Sequence, residues 1–220
     1  MDKKKDSKLY IFFDTLTRLA IINVLTLITS LGVVTLLPSL TAAINTMKDM
    51  DDGNDGSNLY KRYFINFKHN FKRSFFVGLV MTFAIAAFIY AVIYYSVILG
   101  AEDVSETNWE LVSYIGLYFS VFILIVLSIV LNQLAMTIVY FNLRFLDNFK
   151  FAFFMSFRTL SKTLLISMVW IASYLLLVYL TGVWFFFGLG IPLFALYKLF
   201  KPLYDYIVNN KEEVKIEKGE

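Results

Sequence analysis

The stretch RLAIINVLTLITSLGVVTLLPSLTAAI, residues 18–44, decides the fold of this chain. It is apolar for longer than the roughly 20 residues that one helix needs to cross a bilayer core. Gly32 and Pro38 interrupt it, and both residue types mark the ends and beginnings of helices. Proline is tolerated in the first turn of a helix, where its missing N–H has no partner in any case. The stretch therefore predicts a membrane helix, a turn, and a second helix that begins near Pro38.

The composition of the whole chain indicates a membrane protein. Of its 220 residues 59% are hydrophobic and only 17% are charged, whereas a soluble protein covers most of its surface with charge. Further apolar runs cover residues 74–99 and 110–141, and another extends from 163 to 199 with glycines and Pro192 inside it. We expect an all-α polytopic protein with four full transmembrane helices, shorter returning helices after Pro38 and near Pro192, and cytoplasmic interfacial amphipathic helices.

These runs divide the chain into three parts. Residues 1–15 form a cytoplasmic N-terminal segment, residues 16–208 a single transmembrane helical domain, and residues 209–220 a polar C-terminal tail. Within the domain we predict spans at about 16–31, 74–99, 110–141, 163–187 and 190–208, and a returning helix at 38–48. The first run follows a long polar lead and no small-residue cleavage site comes after it, so we expect it to be retained as an anchor.

The charges between the runs predict the orientation. Lysine and arginine concentrate in cytoplasmic connections, and they flank the first run on both sides. The connection at 100–110 has four carboxylates and no cation, which is typical of an external segment. Both flanks of the first run can be cytoplasmic only if the chain turns back near Gly32. The alternative is one long proline-kinked span that departs from the charge rule. We expect a bacterial cell-membrane protein with both termini in the cytoplasm.

Two predicted cytoplasmic stretches resemble each other. INFKHNFKRSFF, residues 65–76, and DNFKFAFFMSFR, residues 147–158, share six residues at one constant offset, although chance alignment is an alternative because the chain has 23 phenylalanines. The spacing of aromatic and cationic residues predicts helices lying on anionic lipid or docking on a partner, and both interpretations stay open. The residues that we expect at this lipid or partner interface are Phe64, Phe67, Lys68, Phe71, Lys72, Arg144, Phe149, Lys150 and Phe153.

Residues for catalysis or for metal binding are scarce. The chain has no cysteine and a single histidine, His69, so neither a thiolate site nor a histidine ligand set is available. All 17 acidic residues lie in tails, connections or span ends, and no phosphate-binding glycine loop occurs. We therefore expect no enzymatic activity, no cofactor and no metal. The net charge of +3 is too small to predict nucleic-acid binding.

Polar side chains in and near the spans have structural interpretations. Asn23, Asn132 and Gln133 are expected to form hydrogen bonds between helices, and a solute site is the less favoured alternative. The acidic loop around Asp51, Asp52 and Asp55 lacks the ligand spacing of a calcium loop, so we expect a solvated turn there.

The order of these features resembles the YesL-like family of bacterial membrane proteins. The resemblance covers nearly the whole chain. It rests on residues 18–44, on the acidic glycine loop DMDDGNDG from Asp49, on Phe64, Phe67, Lys68, Asn70, Phe71 and Lys72 as an F-x-x-F-K-x-N-F-K pattern, and on LRFLDNFKFAFFMS from Leu143. The chain departs from the family pattern at Leu31, Gly32 and Leu37 in the first turn.

The resemblance implies a role in carbohydrate uptake. Such proteins are typically encoded beside carbohydrate ABC transporters and glycan-degrading enzymes in Gram-positive bacteria. The function that we expect is that of a non-catalytic accessory subunit of an oligosaccharide ABC importer, with the lipid bilayer and the permease subunits as partners. The alternatives are a stand-alone small-solute transporter or channel, and a membrane-anchored regulator of a transporter.

Overall fold

The computed structural model describes residues 8–53, 58–100 and 109–217. In this part of the chain there are eight α-helices, one short 3-10 helix and no strand. The helices are α1 Lys8–Thr29, α2 Leu36–Asp51, α3 Leu59–Leu99, α4 Trp109–Tyr140, α5 Phe145–Arg158, α6 Leu160–Tyr179, α7 Thr181–Phe187 and α8 Gly190–Glu217, with the 3-10 helix at Val33–Thr35. The predicted all-α fold class is confirmed.

Four of the described helices, α1, α3, α4 and α6, are long and apolar enough to cross a membrane. A further candidate span consists of α7 and the Gly190–Asn210 part of α8, which are bent by 43° at the break between them. The chain is thus a multi-pass membrane protein with four or five candidate spans. Residues 163–187, predicted as one span, are divided at Leu180 between α6 and α7.

The turn after α1 has the form that Gly32 and Pro38 predict. The Thr35 hydroxyl lies 2.7 Å from the carbonyl oxygen of Thr29 and 2.5 Å from that of Gly32, which closes the chain between α1 and α2. Pro38 is the third residue of α2, and Pro192 is the third residue of α8. At both positions a first-turn proline removes no helical hydrogen bond.

The short returning helix α2 forms the centre of the bundle. Ten of its sixteen residues are buried, and it packs against α1, α3, α4 and α8. A Cβ atom at Gly78 of α3 would lie 2.9 Å from the Cβ of Leu37, so glycine permits this close helix contact. Because other helices surround it, a helix too short to span a bilayer can be shielded from lipid by protein.

The two stretches that resemble each other, residues 65–76 and 147–158, form different local structures. The first is the beginning of α3, which continues without a break through 41 residues, so the interfacial helix expected there is not a separate element. The second forms α5, which Thr159 separates from α6. The Thr159 hydroxyl donates to the carbonyl oxygen of Met155 at 2.7 Å, a side-chain bond of the kind that bends helices. No glycine or proline lies between residues 59 and 77, which explains the continuity of α3.

Candidate functional site

The end of the bundle at which α2 finishes and α3 begins gathers most of the described charged contacts. We call it the polar end, defined by Asp49, Asp51, Arg62, Arg73, Lys198 and Lys201. Three sets of contacts there connect α2, α3, the α4–α5 connection and α8.

Asp51 joins α2 to α8. Its carboxylate accepts hydrogen bonds from Lys198 at 2.7 Å, from Lys201 at 3.0 Å and from the Tyr197 hydroxyl at 3.1 Å. Burial opposes ionisation, but the hydrogen bonds and positive charges of Lys198 and Lys201 outweigh it and lower the pKa of Asp51 below its usual value. Residues 52–53 form an exposed turn, as expected, and at its start two lysines of α8 bind the Asp51 carboxylate, which the sequence did not predict. Asp55 lies outside the described residues.

Asp49 joins α2 to the start of α3. One oxygen of its carboxylate accepts from the Arg62 Nε and from the Asn66 amide, each at 2.7 Å. Asn66 also contacts Thr46 and Asn45 at 3.2 Å, so its side chain is fully engaged between the two helices. Asn66, the asparagine that recurs as Asn148 in the second of the two similar stretches, thus serves to pack α2 against α3.

Arg73 of α3 holds the connection between α4 and α5. Its guanidinium donates to the Asn142 amide oxygen at 3.0 Å, to the Leu143 carbonyl at 3.1 Å and to the Phe141 carbonyl. The amide oxygen of Asn148, the repeated asparagine of the second copy, lies at 3.5 Å. The sequence carries no signal for this contact, because about 70 residues separate Arg73 from its partners.

The residues predicted at a lipid or partner interface lie mostly on the outside. Phe64, Lys68, Lys72, Arg144, Lys150 and Phe153 are exposed, and Phe67, Phe71 and Phe149 are partly buried. The inner face of α3 is instead formed by Tyr63, Asn66, Asn70 and Ser74. The aromatic face of this helix is therefore available to lipid or to another protein.

Asn23 fixes the junction between α7 and α8. Its amide oxygen accepts from the backbone N–H groups of Leu189 and Gly190, both at 2.7 Å, and its amide nitrogen donates to the Phe185 carbonyl at 2.6 Å. Gly190 is required by this contact, since a Cβ there would lie 2.9 Å from the Leu19 carbonyl oxygen. The fully buried Asn23 thus satisfies N–H groups at the beginning of α8 that have no partner within the helix.

Asn132 and Gln133 contact different helices from neighbouring positions on α4. The Trp170 indole of α6 donates to the Asn132 amide oxygen at 2.9 Å. The Tyr204 hydroxyl of α8 donates to the Gln133 amide oxygen at 2.9 Å. All three predicted interhelical amides therefore bond to other helices.

A groove of about 570 Å³ runs between α4 and α6. We call it the α4–α6 groove; its walls are largely apolar, and its polar groups are Ser128, Asn132, Ser167 and Trp170. A second cavity of about 280 Å³ shares Ser128, Asn132 and Trp170 with it and reaches α1, α2 and Leu189. Within residues 8–53, 58–100 and 109–217, no three histidine or carboxylate side chains are grouped as metal ligands.

The segment from the middle of α1 through most of α3 matches a known protein family. Residues 19–92 match the DUF624 family, described as a protein of unknown function. The DUF624 match covers about a third of the chain and includes the α1–α2 turn, the whole of α2, and Arg73. No curated protein and no solved structure matches the chain.

Proposed function

We propose that this protein is a non-catalytic accessory subunit of a bacterial carbohydrate ABC importer, that it lies in the cell membrane with both termini in the cytoplasm, and that a transmembrane helix of a permease subunit packs into the α4–α6 groove. The assignment to a carbohydrate importer is supported by the resemblance to the YesL-like family. The groove supports the mode of association.

The orientation is supported by contacts at the polar end. The pair formed by Asp51 and Lys198 brings the end of α2 and the first third of α8 to one end of the bundle. Arg73 brings the α4–α5 connection to the early part of α3. These segments carry most of the cations between the apolar runs, and the positive-inside rule assigns such segments to the cytoplasm.

The α4–α6 groove is the observation that carries the proposal. In the most apolar 18-residue stretch of each helix, only 11% of α4 and 17% of α6 is buried inside this chain. Both helices therefore present long apolar faces to their surroundings. Between these faces lie two serines and the Asn132 amide. Small and hydrogen-bonding residues are typical of contacts between membrane helices, where they permit close approach. A helix with polar side chains can bond to these groups, whereas a lipid acyl chain cannot.

Two measurements test the proposal. Permease subunits of a carbohydrate ABC importer from the same bacterium are co-expressed with the tagged protein. We expect them to co-purify at constant stoichiometry in moderate salt, because packing in the bilayer is not screened as surface ion pairs are. The purified protein alone is reconstituted into liposomes and given labelled oligosaccharides. We expect no uptake above that of empty liposomes. Saturable flux without an ATPase would support the stand-alone transporter instead.

A further inference from the structure

A further cavity lies at the polar end and differs from the α4–α6 groove in its chemistry. It has a volume of about 530 Å³ and lies among α2, α3, the end of α4 and the connection to α5. We call it the Arg73 cavity. Its polar lining residues are Asn45, His69, Asn70, Arg73, Tyr140 and Asn142, and no residue that lines it is acidic.

The described residues leave three buried polar atoms without hydrogen-bond partners, and all three belong to side chains that line the Arg73 cavity. They are the Asn70 Nδ2, the Arg73 Nε and the Tyr140 hydroxyl. The Asn70 oxygen is engaged by the His69 ring at 3.3 Å, which leaves the amide NH₂ of this 7% exposed residue unused. A buried donor without a partner costs about 1–3 kcal/mol, so an acceptor that reached the Asn70 and Arg73 donors would be stabilised.

The charge around the cavity favours a negatively charged acceptor. The Arg73 guanidinium bonds only to neutral oxygens of Phe141, Asn142, Leu143 and Asn148, and it forms no ion pair with any described residue. The Lys48 ammonium lies 4.3 Å from the centre of the Tyr140 ring. The Asp205 carboxylate does not line the cavity, but it lies within reach of the Tyr140 hydroxyl, and its charge also acts on Lys201. Among the described residues, no carboxylate therefore pairs with the positive charge of Arg73.

We propose that the Arg73 cavity binds a phosphate group, either of an anionic lipid headgroup or of a soluble phosphorylated molecule. The Arg73 Nε–H, the Asn70 amide and the Tyr140 hydroxyl are the donors to the phosphate oxygens, since charge-assisted bonds to oxyanions are the strongest that such donors form. The cavity is larger than a bare phosphate and falls in the range of about 300–1,000 Å³ that is usual for small-molecule sites. It therefore has room for an organic group on the phosphate. This site is independent of the partner proposed above.

The test compares two substitutions at the cavity with two matched controls. Asn70→Asp replaces the unused NH₂ by a negative oxygen that repels phosphate, and its charge can pair with Arg73 one helical turn away, which preserves the fold. Tyr140→Phe removes one hydroxyl and keeps the ring. Asn209→Asp and Tyr90→Phe make the same chemical changes at exposed positions away from the cavity. Arg73 itself is left unchanged because it holds the α4–α5 connection.

The probes are inorganic phosphate and glycerol 3-phosphate with the protein in detergent, and phosphatidylglycerol in phosphatidylcholine nanodiscs. The measurement is the rise in melting temperature followed by tryptophan fluorescence. For at least one probe we expect a saturable rise in the melting temperature. The probe concentration that gives half of this rise should be about tenfold higher or more in Asn70→Asp and raised in Tyr140→Phe. It should be unchanged in both controls. A response to the soluble probes identifies a soluble ligand, and a response to phosphatidylglycerol alone identifies a lipid.

Two results would overturn the proposal. One is the absence of a saturable rise with every probe. The other is a rise that Asn70→Asp and Tyr140→Phe show at the same concentration as their controls. If Asn70→Asp does not fold, Tyr140→Phe against Tyr90→Phe decides the question alone.

Discussion

The carboxylate of Asp51 lies 2.7 Å from the ammonium of Lys198, although 147 residues separate them in the chain. The Asp51 side chain is 23% exposed, and Lys201 lies on the same carboxylate at 3.0 Å. This contact connects the central helix α2 to α8.

We expect Asp51→Asn to lower the free energy of unfolding by about 1 kcal/mol, because two partly exposed lysines lose the negative charge that they contact. This value lies between the contributions that are usual for exposed and for buried ion pairs. The matched control is Asp14→Asn, which breaks the more exposed Asp14–Arg18 pair within α1. Thermal unfolding in detergent measures both variants. Equal small effects would show that the Asp51 contacts contribute no more than a surface pair.

The same contact predicts a pH dependence. The pKa of Asp51 is lower in the folded protein than its usual value, so its stabilising effect is complete above the unfolded pKa of about 3.9 and is lost as the pH falls through the folded pKa. We expect the melting temperature of the wild type to fall more steeply below about pH 4 than that of Asp51→Asn. Parallel curves for the two proteins would contradict this origin of the stability.

The Asn23 contacts predict a large loss of stability from a substitution that does not change charge. Asn23→Leu removes the acceptor of the Leu189 and Gly190 N–H groups inside the bundle, and unsatisfied buried groups cost about 1–3 kcal/mol. Asn132→Leu, which removes the bond to Trp170, serves as comparison, since one such bond in a membrane protein averages about 0.6 kcal/mol. We expect Asn23→Leu to lower the melting temperature more. The reverse order would show that the α7–α8 junction does not depend on Asn23.

Single-cysteine labelling tests the orientation, and it is clean because the native chain has no cysteine. We expect an impermeant maleimide to label Gly32→Cys in the α1–α2 turn from outside the cell. Asp52→Cys, which follows α2, should react only after the membrane is permeabilised. Labelling of Asp52→Cys in intact cells would show that α1 and α2 do not return to the same side.

The parts of the fold that local sequence signals determine were predictable. Gly32 and Pro38 mark the turn between α1 and α2, and the lengths of the apolar runs indicate the spans. The continuity of α3 was missed, because the change of composition near residue 74 suggested a boundary although no glycine or proline lies between residues 59 and 77. The break between α5 and α6 was also missed, because the only sequence feature that marks it is the hydroxyl side chain of Thr159.

The site depends on contacts that no local pattern encodes. Asp51 lies in an acidic glycine-containing loop and is indistinguishable in sequence from a solvated aspartate until α8 brings Lys198 to it. Asn23, Asn132 and Gln133 could be selected because amides are conspicuous in apolar runs. The significance of Asn70 and Arg73 emerges only from the cavity that they share with Tyr140.

Site-directed cross-linking in the membrane tests whether a permease helix occupies the α4–α6 groove. Ser128→Cys and Ser167→Cys place a thiol in the groove, and Val97→Cys places one on an exposed face of α3 outside it. Each variant is co-expressed with permease subunits that carry single cysteines along their transmembrane helices, and disulfide formation is followed by mobility on gels. We predict cross-links from residues 128 and 167 to positions three or four residues apart on one permease helix, and none from residue 97. Cross-linking that is equally strong from residue 97, or absent from both groove positions while the subunits co-purify, would contradict the claim.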